Sequence, residues 1–487
     1  MNGILPINAP LGIIEPLLIV TGVAILLLIA DLLLPQDRKH WTGAIALAGV
    51  VWALARTLPQ WGMLERAYAG MVVLDNLSTF FNVLFLSSTA LVIFLSGPFL
   101  RRERVEQPEY YSLLLFATAG MMMLASGLDL ITLFLGIEVM SIALYILAGY
   151  RRDSDTSNEA AMKYFLLGAF ASACLLYGIA LTYGATGSTN LLEIADTLSN
   201  FEGPFPAPML LAGVALILVG FGFKVAAAPF HMWAPDVYEG APTPITAFMS
   251  AGPKAAAFVA FLRIFFIAFG PIQDGWNDVV AVVAALTMTV GNIAAIAQTN
   301  IKRMLAYSSI AHSGYILIGL VAGGSVGGTA AVFYLLAYMV MNIGAFAVVI
   351  ALGGKGERGE ELRDYAGMGF RYPALGALLA LFMISLAGIP PTVGFVGKLY
   401  LFGSAVNAGY VWLAVIGVLN SAISVFYYLR LLVLMYMREP AEEMPPLRLP
   451  LGVAVTLILT AVATLGAGLF PGRWFEMARE GIRALFS

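Results

Sequence analysis

Glu138, Lys224, Lys254, His312 and Lys398 are ionisable residues set in stretches that are otherwise apolar. A lysine at the centre of a bilayer costs about 2.5–3.5 kcal/mol on insertion scales, so three in one chain need compensation and point to function, with a structural ion pair as the plainer reading. Glu138, in "GIEVMSIALYIL", falls near the middle of its apolar run. A carboxylate paired with a buried lysine lowers the cost of both charges, and protonating either partner changes the pairing. Glu138 and Lys224 are therefore expected to form a switchable pair.

Lys224 precedes "VAAAPFHMWAPDVYEGAPTP", where Pro229 and Pro235 remove backbone donors and should break the helix. Lys398 follows "SLAGIPPTVGFVG", where Pro390 and Pro391 should do the same. The two breaks are expected at matching positions, letting water reach mid-membrane. Lys254 follows Pro253 and is expected to relay between the two halves. A buried amine is disfavoured in its charged form, which makes it a proton carrier rather than an anchor. His312, in "AYSSIAHSGYILIGL", is expected to bridge Lys254 and Lys398, the alternative being a neutral histidine bonded to a helix carbonyl. His231 lies at the first break, where it lines a water path or caps the break. Asp31, Asp75 and Asp129, with Arg263 and Arg430, lie nearer span ends, and the three acids are expected to be solvated or structural.

Other chemistries lack residues. There is no P-loop, no dinucleotide fingerprint and no nucleophile constellation. One cysteine, Cys174, and three scattered histidines make neither a disulfide nor a metal or iron–sulfur site within the chain. No cofactor is expected here, and any redox step must happen in another chain.

These residues need a membrane bundle to position them. The 487 residues are 60% apolar and 11% charged, against roughly 25% charged in soluble domains. A net charge of -3 gives no argument for nucleic acid. About 20 apolar residues span a bilayer. Such runs predict an all-α integral membrane protein of about fourteen helices: 14–34, 41–59, 73–99, 109–126, 129–149, 158–184, 207–230, 243–268, 277–299, 302–322, 327–352, 372–405, 409–437 and 448–470. An amphipathic tail follows at 472–486, and the first span is expected to be retained rather than cleaved as a signal.

Basic residues cluster at alternate connections: Arg38 and Lys39, Arg101 to Arg104, Arg151 and Arg152, Lys302 and Arg303, Lys355 to Arg371, and Arg438 and Arg448. The loop 183–208 has none. By the positive-inside rule the basic connections are cytoplasmic and both termini lie outside. The connection 234–243 should be cytoplasmic yet carries no basic residue, against the rule. Residues 129–167 resemble 300–336 at an offset of about 170, a register that Lys224 and Lys398 continue. Five helices per copy would invert one copy relative to the other, as in transporters. The expected division is 1–105 (first three helices), 106–272 (first repeat), 273–440 (second, inverted repeat) and 441–487 (last helix and tail).

The segments "GIEVMSIALYIL", "FKVAAAPFHMWAPDVYEGAPTPITAFMSAGPK", "NIKRMLAYSSIAHSGY" and "LAGIPPTVGFVGK", together covering about 129–400, resemble the antiporter-like membrane subunits of respiratory Complex I and their Mrp-type relatives. The resemblance implies two inverted five-helix repeats, each with a broken helix. It matches Glu138 to the family's fifth-helix glutamate, Lys224 to the seventh-helix lysine, Lys254 to the eighth-helix lysine and Lys398 to the terminal twelfth-helix residue. Lysine at the eighth- and twelfth-helix positions, without a long lateral C-terminal helix, favours the N-type members. It also implies a proton-translocating role in NADH:quinone oxidoreductase, in a plasma or inner membrane, beside M-type and K-type subunits. NAD, FMN, iron–sulfur clusters and quinone would be held by partner subunits. A stand-alone or Mrp-type cation/proton antiporter is the alternative, and a non-conducting scaffold a weaker one.

Overall fold

Lys224 ends its helix five residues before Pro229, because the chain closes there with a Schellman cap. In this computed structural model, which describes residues 11–33, 39, 41–200, 208–354, 356, 359–439 and 447–486 except the side chains of Asp31 and Leu33, that cap separates two half-helices. Of the expected features, Arg38, Lys355 and Arg358, the side chain of Asp31 and part of the 183–208 loop lie outside the described residues.

Nineteen α-helices and one hairpin make up the described residues. The first ten helices are α1 Leu11–Leu33, α2 Trp41–Thr57, α3 Asn76–Glu103, α4 Pro108–Ser126, α5 Leu130–Ala148, α6 Asp155–Thr186, α7 Leu191–Ser199, α8 Pro208–Lys224, α9 Trp233–Gly240 and α10 Thr243–Arg263. Then come α11 Gln273–Ile296, α12 Ile301–Ala322, α13 Gly324–Leu352, α14 Met368–Arg371, α15 Pro373–Ala387, α16 Val393–Asn407, α17 Val411–Met437, α18 Leu451–Leu469 and α19 Gly472–Arg483. Eleven are long and apolar enough to cross a bilayer singly. The other expected spans are α4 and two interrupted elements, α8 with α9 and α15 with α16. The expected start of the third span falls instead on an antiparallel hairpin, β1 Glu65–Ala67 and β2 Val72–Leu74. Tyr68 and Ala69 turn it in the left-handed region.

Both interruptions are built alike. Ala226 N–H donates to Phe223 O and Ala227 N–H to Gly222 O, with Ala226 at φ 57°. Gly388 N–H donates to Ser385 O and Ile389 N–H to Ile384 O, with Gly388 at φ 84°. Each pair is the nested bonding of a Schellman motif. Aligning the motifs corrects the expected register: Lys224 stands two residues before its left-handed residue, whereas Lys398 stands ten after its own, in the second half-helix. The breaks correspond, but the lysines flank them from opposite sides.

A second recurrence has an offset of 171. Leu130 N–H donates to Thr189 O and Leu191 N–H to Leu128 O; Ile301 N–H donates to Glu360 O and Leu362 N–H to Thr299 O. Close packing repeats with it. A Cβ on Gly120 would lie 2.6 Å from Met140 N, and one on Gly291 2.5 Å from Ala311 N, so only glycine lets α4 approach α5 and α11 approach α12 so closely. The first backbone clasp lies at the end of the bundle where α3 starts, beside the hairpin through the Val72–Gly127 bridge. The second lies at the opposite end, where Lys302 and Glu360 meet Arg102, Arg151 and Thr243 around a small polar cavity.

That grouping explains the connection 234–243, which lacks basic residues of its own. Its Asp236 accepts from Lys163 at 2.5 Å and from Arg303 at 2.7 Å, its Glu239 accepts from Arg303 at 2.7 Å, and its Ala241 O accepts from Lys302 at 3.0 Å. Neighbouring helices supply the missing positive charge.

Helices α10, α12 and α13 are almost wholly enclosed, with α1 and α2 on the outside. One ion pair pins this centre. Asp75 caps α3 through Ser78 N–H at 2.7 Å and takes both carboxylate oxygens to Arg263 Nη2, at 2.8 and 2.9 Å. Both side chains are buried, and Arg263 Nε donates to Ala125 O. Asp75 is thus structural, as expected, but not solvated. Arg263→Ala is expected to lose about 3–5 kcal/mol of stability by leaving a buried carboxylate without its partner. Asp75→Asn with Arg263→Met, which keeps a capping side chain, should recover most of it in a detergent-unfolding titration. A loss no larger than that of a surface arginine would contradict the assignment.

Candidate functional site

Helix α5 carries Glu138, Ser141 and Tyr145 at three- and four-residue spacing, which stacks them along one side of the helix. Lys224, 7% exposed, donates to Ser141 Oγ at 2.7 Å and to Tyr145 OH at 3.4 Å, with its ammonium 5.6 Å from the Tyr145 ring centre. Glu138 turns the other way. It is half-buried and accepts from Ser172 Oγ of α6 at 2.5 Å, among the exposed apolar neighbours Leu135, Val139 and Ile142. The expected direct pair is therefore not formed: Ser141, one turn along, occupies the place beside the amine.

Lys254 is held on the α10 side of the centre. Its Nζ donates to Ser309 O at 2.8 Å and to Ser309 Oγ, with the Tyr338 ring centre 5.8 Å away. Ser313, one turn on, donates to both Ser309 O and Val225 O, which ties α12 to the first break. Ser313 and Val225 O thus lie between the segments that carry Lys224 and Lys254.

His312 is 1% exposed and bonded through both ring nitrogens, Nδ1 to Tyr334 OH at 2.8 Å and Nε2 to Tyr428 OH at 3.1 Å. Neither partner is a helix carbonyl. Tyr428 OH also meets Ser308 Oγ, so α13 and α17 each set a tyrosine hydroxyl against the imidazole, and one of them leads back to α12. Lys398 does not touch His312. Its Nζ caps α15, donating to Leu386 O at 3.1 Å and Ala387 O at 2.9 Å, and donates to Ser421 Oγ of α17 at 2.9 Å. The negative end of α15 suits an ammonium. Two tyrosines span the gap to His312: Tyr315, whose ring centre lies 4.9 Å from Lys398 Nζ, and Tyr334, against which Gly397 packs so closely that a Cβ there would lie 2.4 Å from the ring.

His231 stands apart. It lies partly exposed on the outer side of the break next to Met232, and its Nδ1 has no hydrogen-bond partner among the described residues. Among the described residues no group of histidine, cysteine and acidic side chains is placed to hold a metal.

Residues 127–424 match the family described as NADH:quinone oxidoreductase/Mrp antiporter, TM. The chain is 48% identical to the NADH-quinone oxidoreductase subunit N of Trichlorobacter lovleyi, over 98% of this chain and 97% of that protein. It belongs to the subunit N family. A further subunit N, from Chloroflexus aggregans, is 47% identical over 98% of both chains. A chain of respiratory complex I from Thermus thermophilus superposes with a TM-score of 0.82 at 37% identity, covering 95% of this chain and 99% of that one. A chain of the Mrp complex from Dietzia sp. superposes at 0.86 with 23% identity, a likeness of fold.

In this member of the subunit N family, Ser141, Tyr145, Ser172, Ser309, Tyr334, Tyr428 and Ser421 join the sequence-predicted groups. Ser141, Tyr145 and Ser309 had a legible signal, since hydroxyls three, four or seven residues from an ionisable group share its side of a helix. Ser172, Tyr334, Tyr428 and Ser421 come from distant segments and had none. Ser141→Ala should destabilise the protein by about 1–3 kcal/mol, because it strips a buried ammonium of its short hydrogen bond. Tyr145→Phe, which removes only the long bond, should cost clearly less. Equal losses for the two in detergent unfolding would show that Ser141 does not hold the amine.

Proposed function

We propose that this chain translocates protons as the N-type membrane subunit of an NADH:quinone oxidoreductase, coupling quinone reduction in partner subunits to pumping. The carrying observation is the train of amines, hydroxyls and one imidazole that runs from Glu138 on α5 to Lys398 and Ser421 near α17 inside an otherwise apolar bundle. Relatives at 43–49% identity that all bear the subunit N name favour this reading over a separate cation antiporter. On it, NAD, FMN, iron–sulfur clusters and quinone belong to partner subunits, with M-type and K-type subunits as neighbours in a plasma or inner membrane.

A change of charge beside Glu138 would alter the field at Lys224, one helical turn away across Ser141. A proton leaving Lys224 would pass by Ser313 and Ser309 to Lys254, then by Ser308, Tyr428 and His312 toward Tyr334 and Lys398. The two Schellman-capped breaks would let water reach each end of this route. His231, on the outer side of the first break, would face that water rather than the route. The two units joined by the 171-residue recurrence would be the inverted repeats. The Arg102, Arg151 and Lys302 end would be cytoplasmic by the positive-inside rule, with both termini on the other side.

Lys224→Met and Glu138→Gln, each in the assembled complex, should lower NADH-driven proton uptake by inverted membrane vesicles at least about tenfold, since a positioned proton-transfer group contributes about 10²–10⁴-fold. Unchanged uptake in both variants would refute the route.

A further inference from the structure

Away from the polar train, α2, α3, α13, α18 and α19 leave a cleft of about 730 Å³. One wall is a stripe of α3 from Thr79 to Phe94, recurring every three or four residues, faced by Leu336 and Met339 of α13 and by Leu459 and Ala463 of α18. At about 1.5 Å per residue the stripe is about 22 Å long. One hydrocarbon leaflet is about 15 Å, half of a core of about 30 Å. The cleft is thus deep enough for a whole acyl chain.

Its chemistry changes at one end. Trp61, Arg473 and Trp474 line the mouth, at the end of the bundle where α19 packs over the start of α3, a Cβ on Gly481 lying 3.7 Å from Asn76 O. Arg473 is exposed and has no hydrogen-bond or ion-pair partner among the described residues. Indole rings settle at headgroup level, and a guanidinium offers the forked donors that fit a phosphate. An isoprenoid tail would suit the stripe equally but would bring nothing negative to Arg473.

We propose that this cleft is a binding site for a glycerophospholipid, one acyl chain lying along α3 and the phosphate bonded to Arg473 between the two tryptophans. The lipid would seal the N-terminal helices against the enclosed centre, filling space that no side chain occupies.

The test uses the assembled complex reconstituted with phosphatidylglycerol that bears a photoactivatable diazirine in its acyl chain, with cross-linked peptides mapped by mass spectrometry. Cross-links should concentrate on residues 79–94 and 459–467. Arg473→Gln should reduce them about tenfold, the weight of one charge-assisted hydrogen bond, and Ala463→Trp should abolish them by filling the cleft. Labelling spread evenly over outer helices such as α1 and α17, labelling of the cleft indifferent to Arg473→Gln, or displacement of the probe by a long-tailed quinone would each overturn the proposal. If Ala463→Trp does not assemble, Arg473→Gln decides alone, because its side chain makes no hydrogen bond or ion pair among the described residues.

Discussion

Inside a membrane a backbone carbonyl that has lost its helical donor finds no water, so every break in a helix must offer its open groups a protein partner. A buried ammonium has the opposite need, three donors and no acceptor. In this chain each requirement answers the other. Lys254 adds a bond to Ser309 O within α12 and Lys224 rests on hydroxyls of α5, whereas Lys398 takes the last two carbonyls of α15 and Arg430 caps α11 through Ile296 O and Gln298 O. Ser313 does the same by a hydroxyl for Val225 O at the first break. Lys398 and Arg430 are therefore located by helix ends.

Around these fixed points the connecting groups are adaptable. A hydroxyl donates and accepts, and an imidazole held between Tyr334 and Tyr428 can exchange roles without leaving a buried group unpaired. On the proposed route, fixed amines with hydroxyls beside them would need only a shift of hydrogen bonds, with no movement of a helix. The Asp75–Arg263 pair holds α3 to the end of α10 and so keeps Lys254 opposite α12. Glu138 is the exception to enclosure. Half-buried at the rim of α5, it is the member of the train best placed to respond to something outside this chain.

Sequence alone was enough to place the deep charges, because composition makes any ionisable group in an apolar run conspicuous. Lys224, Lys254, His312 and Lys398 are all buried where hydropathy put them. Their partners were less legible. A direct Glu138–Lys224 pair followed from charge, but geometry seats Ser141 beside the amine because the carboxylate points to α6. The first break was placed at its prolines, whereas it begins at a Schellman cap on Ala226, a residue type that rarely adopts the left-handed conformation and so gave no warning. The lysine register failed for the same reason: matching Lys224 to Lys398 by residue type passed over the backbone motif that sets the correspondence. Lys302, read as a loop charge, is enclosed against Glu360 and Ala241 O, a contact between segments that no local pattern foretells.

The clasp that joins Leu128 and Leu130 to Thr189 and Leu191, and recurs between Thr299 and Ile301 and Glu360 and Leu362, consists of main-chain bonds alone. Such a fastening has no net charge and no preferred pH, and the side chains beside it are free to vary. The same peptide grammar can then be written at either surface of the bilayer, facing either ionic composition, without rewording. The closure is the same at both ends of the bundle, and only the side chains beside it differ, Glu360 with Lys302 at one end and Asp129 with Thr189 at the other.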